Sequence, residues 1–272
     1  MVSDGGGAGG EPSRLLSRAG AILLPGIAVL CVLVLWQLST LVVRSVFFPS
    51  PRAVAQAAVR LTLEGDTQGR VLLLHAWVSL LRVLKGFVVA TLLAVPAGIA
   101  FGLSERAYAA IKGLLEPIRF IPPLGWVPLA IIFLSGENRY TFIISLGAFF
   151  PVLVSTMAGV QAMDHRLIEV GQVLGASRPQ LIAKLVLPAV LPAVVSGARL
   201  GMGIGWACIV AAEMIGGEST GLGRMIVSYG ELLQIDAVVV GMLAIGVLGY
   251  VLNEAFLLLE RRLFPWRRAA RI

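Results

Sequence analysis

Apolar residues dominate this chain in six long runs, at residues 21–43, 80–103, 120–136, 140–163, 189–213 and 237–259, with short polar or charged stretches between them. The runs 21–43 and 140–163 contain no charged residue at all. A helix rises about 1.5 Å per residue, so about 20 apolar residues cross the roughly 30 Å hydrocarbon core of a bilayer. The pattern predicts an all-α polytopic membrane protein of about six transmembrane helices, with both chain ends on one side. Three parts follow: a Gly-rich, then basic, disordered segment at 1–19, a membrane domain at 20–260, and a basic tail at 261–272.

Details within the runs refine this picture. Arg14 and Arg18 precede the first run in the manner of a signal peptide. The run is too long for a signal core, however, and no small-x-small cleavage site follows, so it reads as the first span. Ser50 as N-cap with Pro51 at the first helical position starts a helix to about residue 64, lying on the outer face with Ala53, Ala57 and Leu61 on one side. In the second span, Arg82 and Lys85 are expected to snorkel to the interface. Ala90, Ala94, Gly98 and Gly102 recur every four residues, a stripe that lets another helix approach closely, within one subunit in preference to a dimer face. Pro96 predicts a kink there. Residues 104–112 read as a polar turn, and Lys112, Glu116 and Arg119 as a row that pairs along one helix side. The third run carries Pro122, Pro123 and Pro128. Irregular backbone at membrane depth is tolerated only against protein or a water-filled cavity, so this span is either a kinked packing helix or the wall of a path. The fifth run holds Arg199 and Glu213 with Trp206 between them. Charges there face the bundle interior or a path by default, and Glu213 has the further option of a solvated interface position.

The stretch 164–188 is the one sizeable polar interruption after the third run. It reads as two short helices with a kink. Asp164 caps the first, and Gly175 ends it because glycine takes the left-handed conformation cheaply. Ser177 caps the second, with Pro179 in its first turn and Gln180 at the capping-box spacing. Each helix has about 11 residues, roughly 16 Å, too short to span a bilayer. Leu167, Val170 and Leu174 share one face of the first. The pattern by itself fits an ordinary amphipathic hairpin or a surface presented to a partner.

That stretch resembles the cytoplasmic "EAA" loop of integral-membrane permease subunits of bacterial ATP-binding-cassette importers: E-A-A, three residues, G, nine residues, I, one residue, L-P. Here stand Glu169-Val170-Gly171, then Gly175, then Leu185-Val186-Leu187-Pro188 at the same spacing, with Val, Gly and Leu replacing Ala, Ala and Ile. Two shorter elements, Phe47-Phe48-Pro49-Ser50-Pro51 and the run from Ala211 to Gly217 followed by Gly221-Leu222-Gly223, resemble the nitrate/taurine/sulfonate branch. The resemblance implies a coupling-helix loop between the fourth and fifth spans that docks on an ATP-hydrolysing subunit, through Glu169, Val170, Gly171, Gly175, Ala176, Ser177, Leu187 and Pro188. It implies as partners two ATPase subunits, an external substrate-binding protein, and a second permease copy or a sister permease. ATP and Mg would sit on the ATPase, none on this chain. The implied cargo is a small anion such as nitrate, bicarbonate, taurine or another sulfonate, passing residues for which Arg199, Trp206, Glu213, Pro122 and Pro123 are candidates. The implied location is the inner (cytoplasmic) membrane with both termini in the cytoplasm. An ion-coupled secondary transporter acting without an ATPase is the alternative; it would need internal inverted repeats, and no convincing repeat is present.

Composition agrees with the membrane assignment and narrows the chemistry. Of 272 residues, 58% are hydrophobic and 14% charged, against about 25% charged in soluble domains. The net charge of +7 comes from 22 basic residues set at span ends and in the tail, the habit of a chain holding anionic headgroups and not of one binding nucleic acid. With both termini inside, basic residues outnumber those outside only weakly, because Arg44, Arg52, Arg60, Arg70, Arg82 and Lys85 all fall in or beside the first outer segment. Cys31 and Cys208 lie in apolar runs and read as small buried residues. The two histidines have no ligand spacing, and no G-x-x-x-x-G-K phosphate loop is present, so no catalytic or metal site is expected.

Overall fold

The computed structural model describes residues 11–43, 45, 47–164 and 166–264, with side chains from residue 26 onward. The glycine-rich start at 1–10, Arg44 and the end of the basic tail lie outside the described residues. Among the described residues, eleven α-helices follow one another: α1 Glu11–Val43, α2 Pro51–Leu63, α3 Leu72–Leu103, α4 Glu105–Phe120, α5 Val127–Phe133, α6 Glu137–Gln161, α7 Arg166–Val173, α8 Arg178–Leu181, α9 Leu187–Ile215, α10 Leu222–Glu231 and α11 Ile235–Leu263. Five segments are long and apolar enough to cross a membrane, and a sixth span arises if the bent pair α4 and α5 is counted as one.

The core is a row of three helices, α3 on α6 and α6 on α9. The small-residue stripe makes the first contact possible. A Cβ on Gly98 would stand 2.7 Å from Thr156 Cβ, and one on Gly86 2.5 Å from Ile144 Cβ. Gly98, Gly102, Ala90 and Ala94 are all buried against α6, so the stripe serves packing inside the subunit. Without hydrophobic drive between helices in lipid, such close backbone approach supplies much of the association energy. On the far side α11 lies against α9 and α2, whose Val54, Ala57 and Leu61 are buried. The α2 cap is as expected: Ser50 Oγ accepts from Ala53 N–H at 3.2 Å. Helix α1 stands beside the bundle, with Trp36 Nε1 donating to Pro49 O at 3.1 Å.

Several boundaries differ from the sequence expectation. The helix α1 begins at Glu11, inside the segment expected to be disordered. The second span starts eight residues early, at Leu72, because His75, Ser79 and Arg82 find partners inside the protein. The polar turn 104–112 is helical: Ser104 Oγ accepts from Ala107 N–H at 3.2 Å and caps α4. The third run is only the second half of a span. α4 ends at Phe120, a 3-10 turn covers Pro123–Trp126, and the two arms meet at 90°. Pro122 and Pro123 have no N–H to continue the ladder, and the chain turns there. The loop after α9 also holds a helix, α10, whose Leu222, Met225 and Tyr229 are buried at the helical spacing of three and four residues.

The α3–α6 seam generates a packing prediction. Gly98→Val is expected to lower the thermal unfolding midpoint in detergent by the equivalent of about 1–3 kcal/mol. Unchanged melting would show that the two helices do not touch at this point.

Candidate functional site

At one end of the bundle, between α6 and α9, the polar loop forms the expected pair of short elements. Asp164 Oδ1 accepts from Arg166 N–H at 3.0 Å at the start of α7. Gly175 has φ +79°. Ala176 N–H donates to Gly171 O at 3.0 Å and Gly175 N–H to Gln172 O at 2.9 Å, the two bonds of a Schellman turn. Gln180 Oε1 accepts from Ser177 N–H at 2.8 Å, completing the capping box. The second helix, however, is not separate from the fifth span. α8 passes into a π-turn at Ile182–Val186 and on into α9, one continuous helical path from Arg178 to Ile215. Leu187 N–H reaches back five residues to Ile182 O. Pro188 explains the wide turn: its ring crowds the carbonyl four residues back and it offers no N–H, so the ladder loosens instead of breaking. Leu187 and Pro188 thus sit inside the shaft that joins loop to span.

Helix α7 lies against this shaft through Gly171. A Cβ there would be 2.5 Å from Leu181 Cδ2 and 2.9 Å from Leu185 Cδ1. Its other face is bare: Leu167, Val170, Val173 and Leu174 are 47%, 57%, 87% and 80% exposed. Glu169, in the first turn, is also exposed and makes no ion pair among the described residues. The result is a polar-ended apolar ridge held from behind and exposed on its other face.

The opposite end holds a buried polar network that sequence reading did not assemble. Arg82, 4% exposed, donates to Glu213 Oε1 at 2.9 Å, to Thr220 O at 2.6 Å and to Glu137 Oε1 at 2.6 Å, and its guanidinium lies 4.4 Å from the Tyr140 ring centre. Glu213, 1% exposed, also accepts from Ser79 Oγ at 2.8 Å and from Gly223 N–H at 3.0 Å. Gly221 makes room: its φ is +140°, and a Cβ would fall 2.6 Å from Glu213 Oε2. Ser79 Oγ in turn accepts from Leu222 N–H at 2.9 Å. With its Nε2 proton directed to Asp66 at 3.2 Å, His75 can take Gly221 N–H on Nδ1 at 3.1 Å. Asp66 lies outside the spans. Burial pushes its carboxyl up, but the N–H groups of Arg70 and Gln68 and the charge of Arg70 outweigh it and hold it below the ordinary value. That contribution to stability is present above the unfolded carboxylate pKa and is lost as pH falls through the lower folded one.

Arg82 therefore does not snorkel; it is clamped between carboxylates on α6 and α9. Arg70 is likewise bound to Asp66 at 3.2 Å, and Arg60 lies 3.8 Å from Asp236. Three of the six basic residues that weakened the charge bias are used inside the protein. The signal available in the sequence was two ionisable residues of opposite sign, Arg82 and Glu213, each in an apolar run.

The candidate path residues separate. Glu213 belongs to the buried network. Arg199 bonds Asn253 Oδ1 at 3.1 Å, lies 3.9 Å from Glu260, and shares a cavity of about 50 Å3 with Trp206 between α9 and α11. Trp206 Nε1 donates to Ile245 O at 3.2 Å. Pro123 lines a different cleft, of about 290 Å3, at the bend of the third span, while Pro122 caps the 3-10 turn beside it. Lys112 reaches Glu116 at 3.7 Å, as the row predicts, but Arg119 leaves the row and faces that cleft.

Residues 72–268 match the family described as "Binding-protein-dependent transport system inner membrane component". The chain belongs to this family. The permease family member is 36% identical over 249 residues to a putative ABC transporter permease protein of Methanocaldococcus jannaschii, covering 91% of each chain. It is also 36% identical to the taurine transport system permease protein TauC of Escherichia coli, over 92% of this chain and 91% of that one. The bicarbonate transport system permease protein CmpB of Synechococcus elongatus is 29% identical over 93% and 94% of the two chains. Among solved structures, the inward-facing MetNI methionine ABC transporter superimposes with a TM-score of 0.62 at 16% identity, covering 70% of this chain and 94% of that one, and so shares the fold. This is a multi-pass membrane permease subunit of an ATP-binding-cassette importer, a transport component.

Removing one partner of a buried ion pair costs about 3–5 kcal/mol, far more than removing both. Glu213→Ala should lower the unfolding midpoint of the purified permease strongly, and Glu213→Ala combined with Arg82→Leu should lower it less. A double variant worse than the sum of its singles would count against the clamp. Gly221→Ala should cost about 1–3 kcal/mol in the same assay, because that backbone region is nearly exclusive to glycine.

Proposed function

We propose that this permease imports a small anion, of the nitrate, bicarbonate, taurine or sulfonate kind, handed to it by an external binding protein. It works as one of two permease copies, or with a sister permease, above two ATPase subunits. The substrate class rests on relatives named for taurine, aliphatic sulfonates, nitrate and bicarbonate. The orientation follows the coupling loop: α7 and the basic end of α11 face the cytoplasm, and the Glu213 network faces outward.

The observation that carries the reading is the bare ridge of α7. Leu167, Val170 and Leu174 fit an apolar groove on the ATPase, and Glu169 is positioned for a basic group at its rim. Gly171 lets α7 lie tightly on the shaft, and the Gly175–Ala176–Ser177 turn sets the angle between them. The continuous path from Arg178 through Leu187 and Pro188 into α9 transmits a push on the loop to a membrane span without a hinge. ATP-driven closure of the ATPase pair would move both loops and swing the bundle between inward- and outward-facing states. The chemistry of hydrolysis then belongs to the partner, with its ATP and Mg.

Affinity purification of the tagged chain from its native membrane should recover one ATPase per copy. Recovery of the chain alone in gentle detergent would favour ion-coupled secondary transport instead. Gly175→Leu adds no clash within the chain, since nothing lies within 4 Å of the added Cβ, but φ +79° strains any side chain there. The variant should insert normally and lose at least about ten-fold in uptake, since about 1–2 kcal/mol of left-handed strain is relieved by turning α7 away from its docking angle. Normal uptake would remove Gly175 from the coupling role.

A further inference from the structure

A cleft opens at the bend of the third span. It is lined by Arg119, Ile121, Pro123, Phe150, Pro151 and Ile204, among others, and holds about 290 Å3. That volume is at the small end of ligand pockets. Its α6 wall runs from Leu146 to Val154, the middle of a helix that extends from Glu137 to Gln161, and Ile204 lies near the middle of α9. The cleft therefore sits at mid-height of two membrane spans, where a charge is costly unless it serves a path or a ligand.

Arg119 is the only charged residue in the lining. Other arginines that touch the spans are already engaged: Arg82 by Glu137 and Glu213, Arg199 by Asn253 and Glu260, Arg139 by Gly216 O and Glu218. Among the described residues Arg119 has no carboxylate partner. Its guanidinium instead lies 5.4 Å from the centre of the Phe120 ring, an arrangement that steadies the planar fork. Such a fork matches two oxygens of a sulfonate or carboxylate at once. The rest of the lining is hydrocarbon and proline, which suits an apolar body and offers little to a fully hydrated inorganic ion.

We propose that Arg119 is a specificity-determining residue of the translocation path. It receives the oxyanion head of a small organic anion whose hydrocarbon part rests on Ile121, Phe150 and Ile204. This rests on the permease reading above and narrows its substrate to the organic sulfonate or carboxylate kind.

The first test needs only the full chain. In a background with Cys31→Ser and Cys208→Ala, Val154→Cys places a thiol in the cleft. Its labelling rates with sulfonatoethyl methanethiosulfonate and with the trimethylammonium analogue are compared. The anionic reagent should be favoured, and Arg119→Gln should reduce the rate ratio roughly ten-fold, as expected for loss of one charge within several Å at intermediate dielectric. Arg119→Lys should keep most of the preference. A ratio unaffected by Arg119→Gln overturns the proposal. The second test uses membrane vesicles containing the permease with its co-purified ATPase and binding protein, and measures uptake of ethanesulfonate and of nitrate. Arg119→Gln should cut ethanesulfonate uptake at least five-fold while stimulation of ATP hydrolysis by the binding protein persists. Undiminished uptake overturns the role, and import of nitrate without ethanesulfonate overturns the organic assignment. A chain that shows the labelling bias but purifies without an ATPase supports the anion-accepting cleft and counts against the importer reading.

Discussion

The bond between Arg82 and Glu213 is the constraint on which the end of the bundle away from α7 depends. It joins α3 to α9, and through Glu137 it also holds the start of α6. Two ions withdrawn from water repay the desolvation cost only when nearly all their hydrogen-bonding capacity is met. Here it is met by Ser79, the Gly223 N–H, the Thr220 carbonyl and the face of Tyr140. The loop from Gly216 to Gly221 is folded around the pair, which is why Gly221 adopts a conformation closed to other residues.

The two ends of the bundle are built on opposite logic. The Glu213 end pairs its buried charges internally across α3, α6 and α9, although Tyr140 Oη and Arg139 Nε are buried without a hydrogen-bond partner among the described residues. The α7 end leaves its apolar ridge open and its acidic residue unpaired among the described residues, yet fixes its own geometry through the Schellman turn and the capping box. Between them runs α9, a single shaft continuous with the loop through the π-turn. α8 continues through the π-turn into α9 without an intervening loop, and α7 joins it at the Gly175–Ser177 turn. The bend at Ile121 and Pro122 interrupts the remaining span at mid-height and opens the cleft beside α6 and α9.

Span count, the amphipathic loop and its caps were legible in the sequence because each rests on local physics. Uncharged runs must be buried in lipid, Gly175 must end a helix cheaply, and Ser177 with Gln180 must cap one. The spacing from Glu169 to Pro188 pointed to the family whose model matches residues 72–268. The small-residue stripe from Ala90 to Gly102 was also readable, since a four-residue repeat of small side chains has few uses other than close helix contact.

Tertiary structure alone decided which distant residues meet. Arg82 and Glu213 are 131 positions apart, and no local rule distinguishes a snorkelling arginine from a clamped one; that depends on whether a carboxylate arrives from another helix. The same holds for Arg119 and Arg199. Arg119 borders one apolar run and Arg199 lies inside another, but α11 supplies Asn253 and Glu260 to Arg199, and the broken third span turns Arg119 toward an open cleft. Propensity determines where a helix starts and stops. Only the packing of the helices determines which charge is neutralised within the chain and which faces an open cleft.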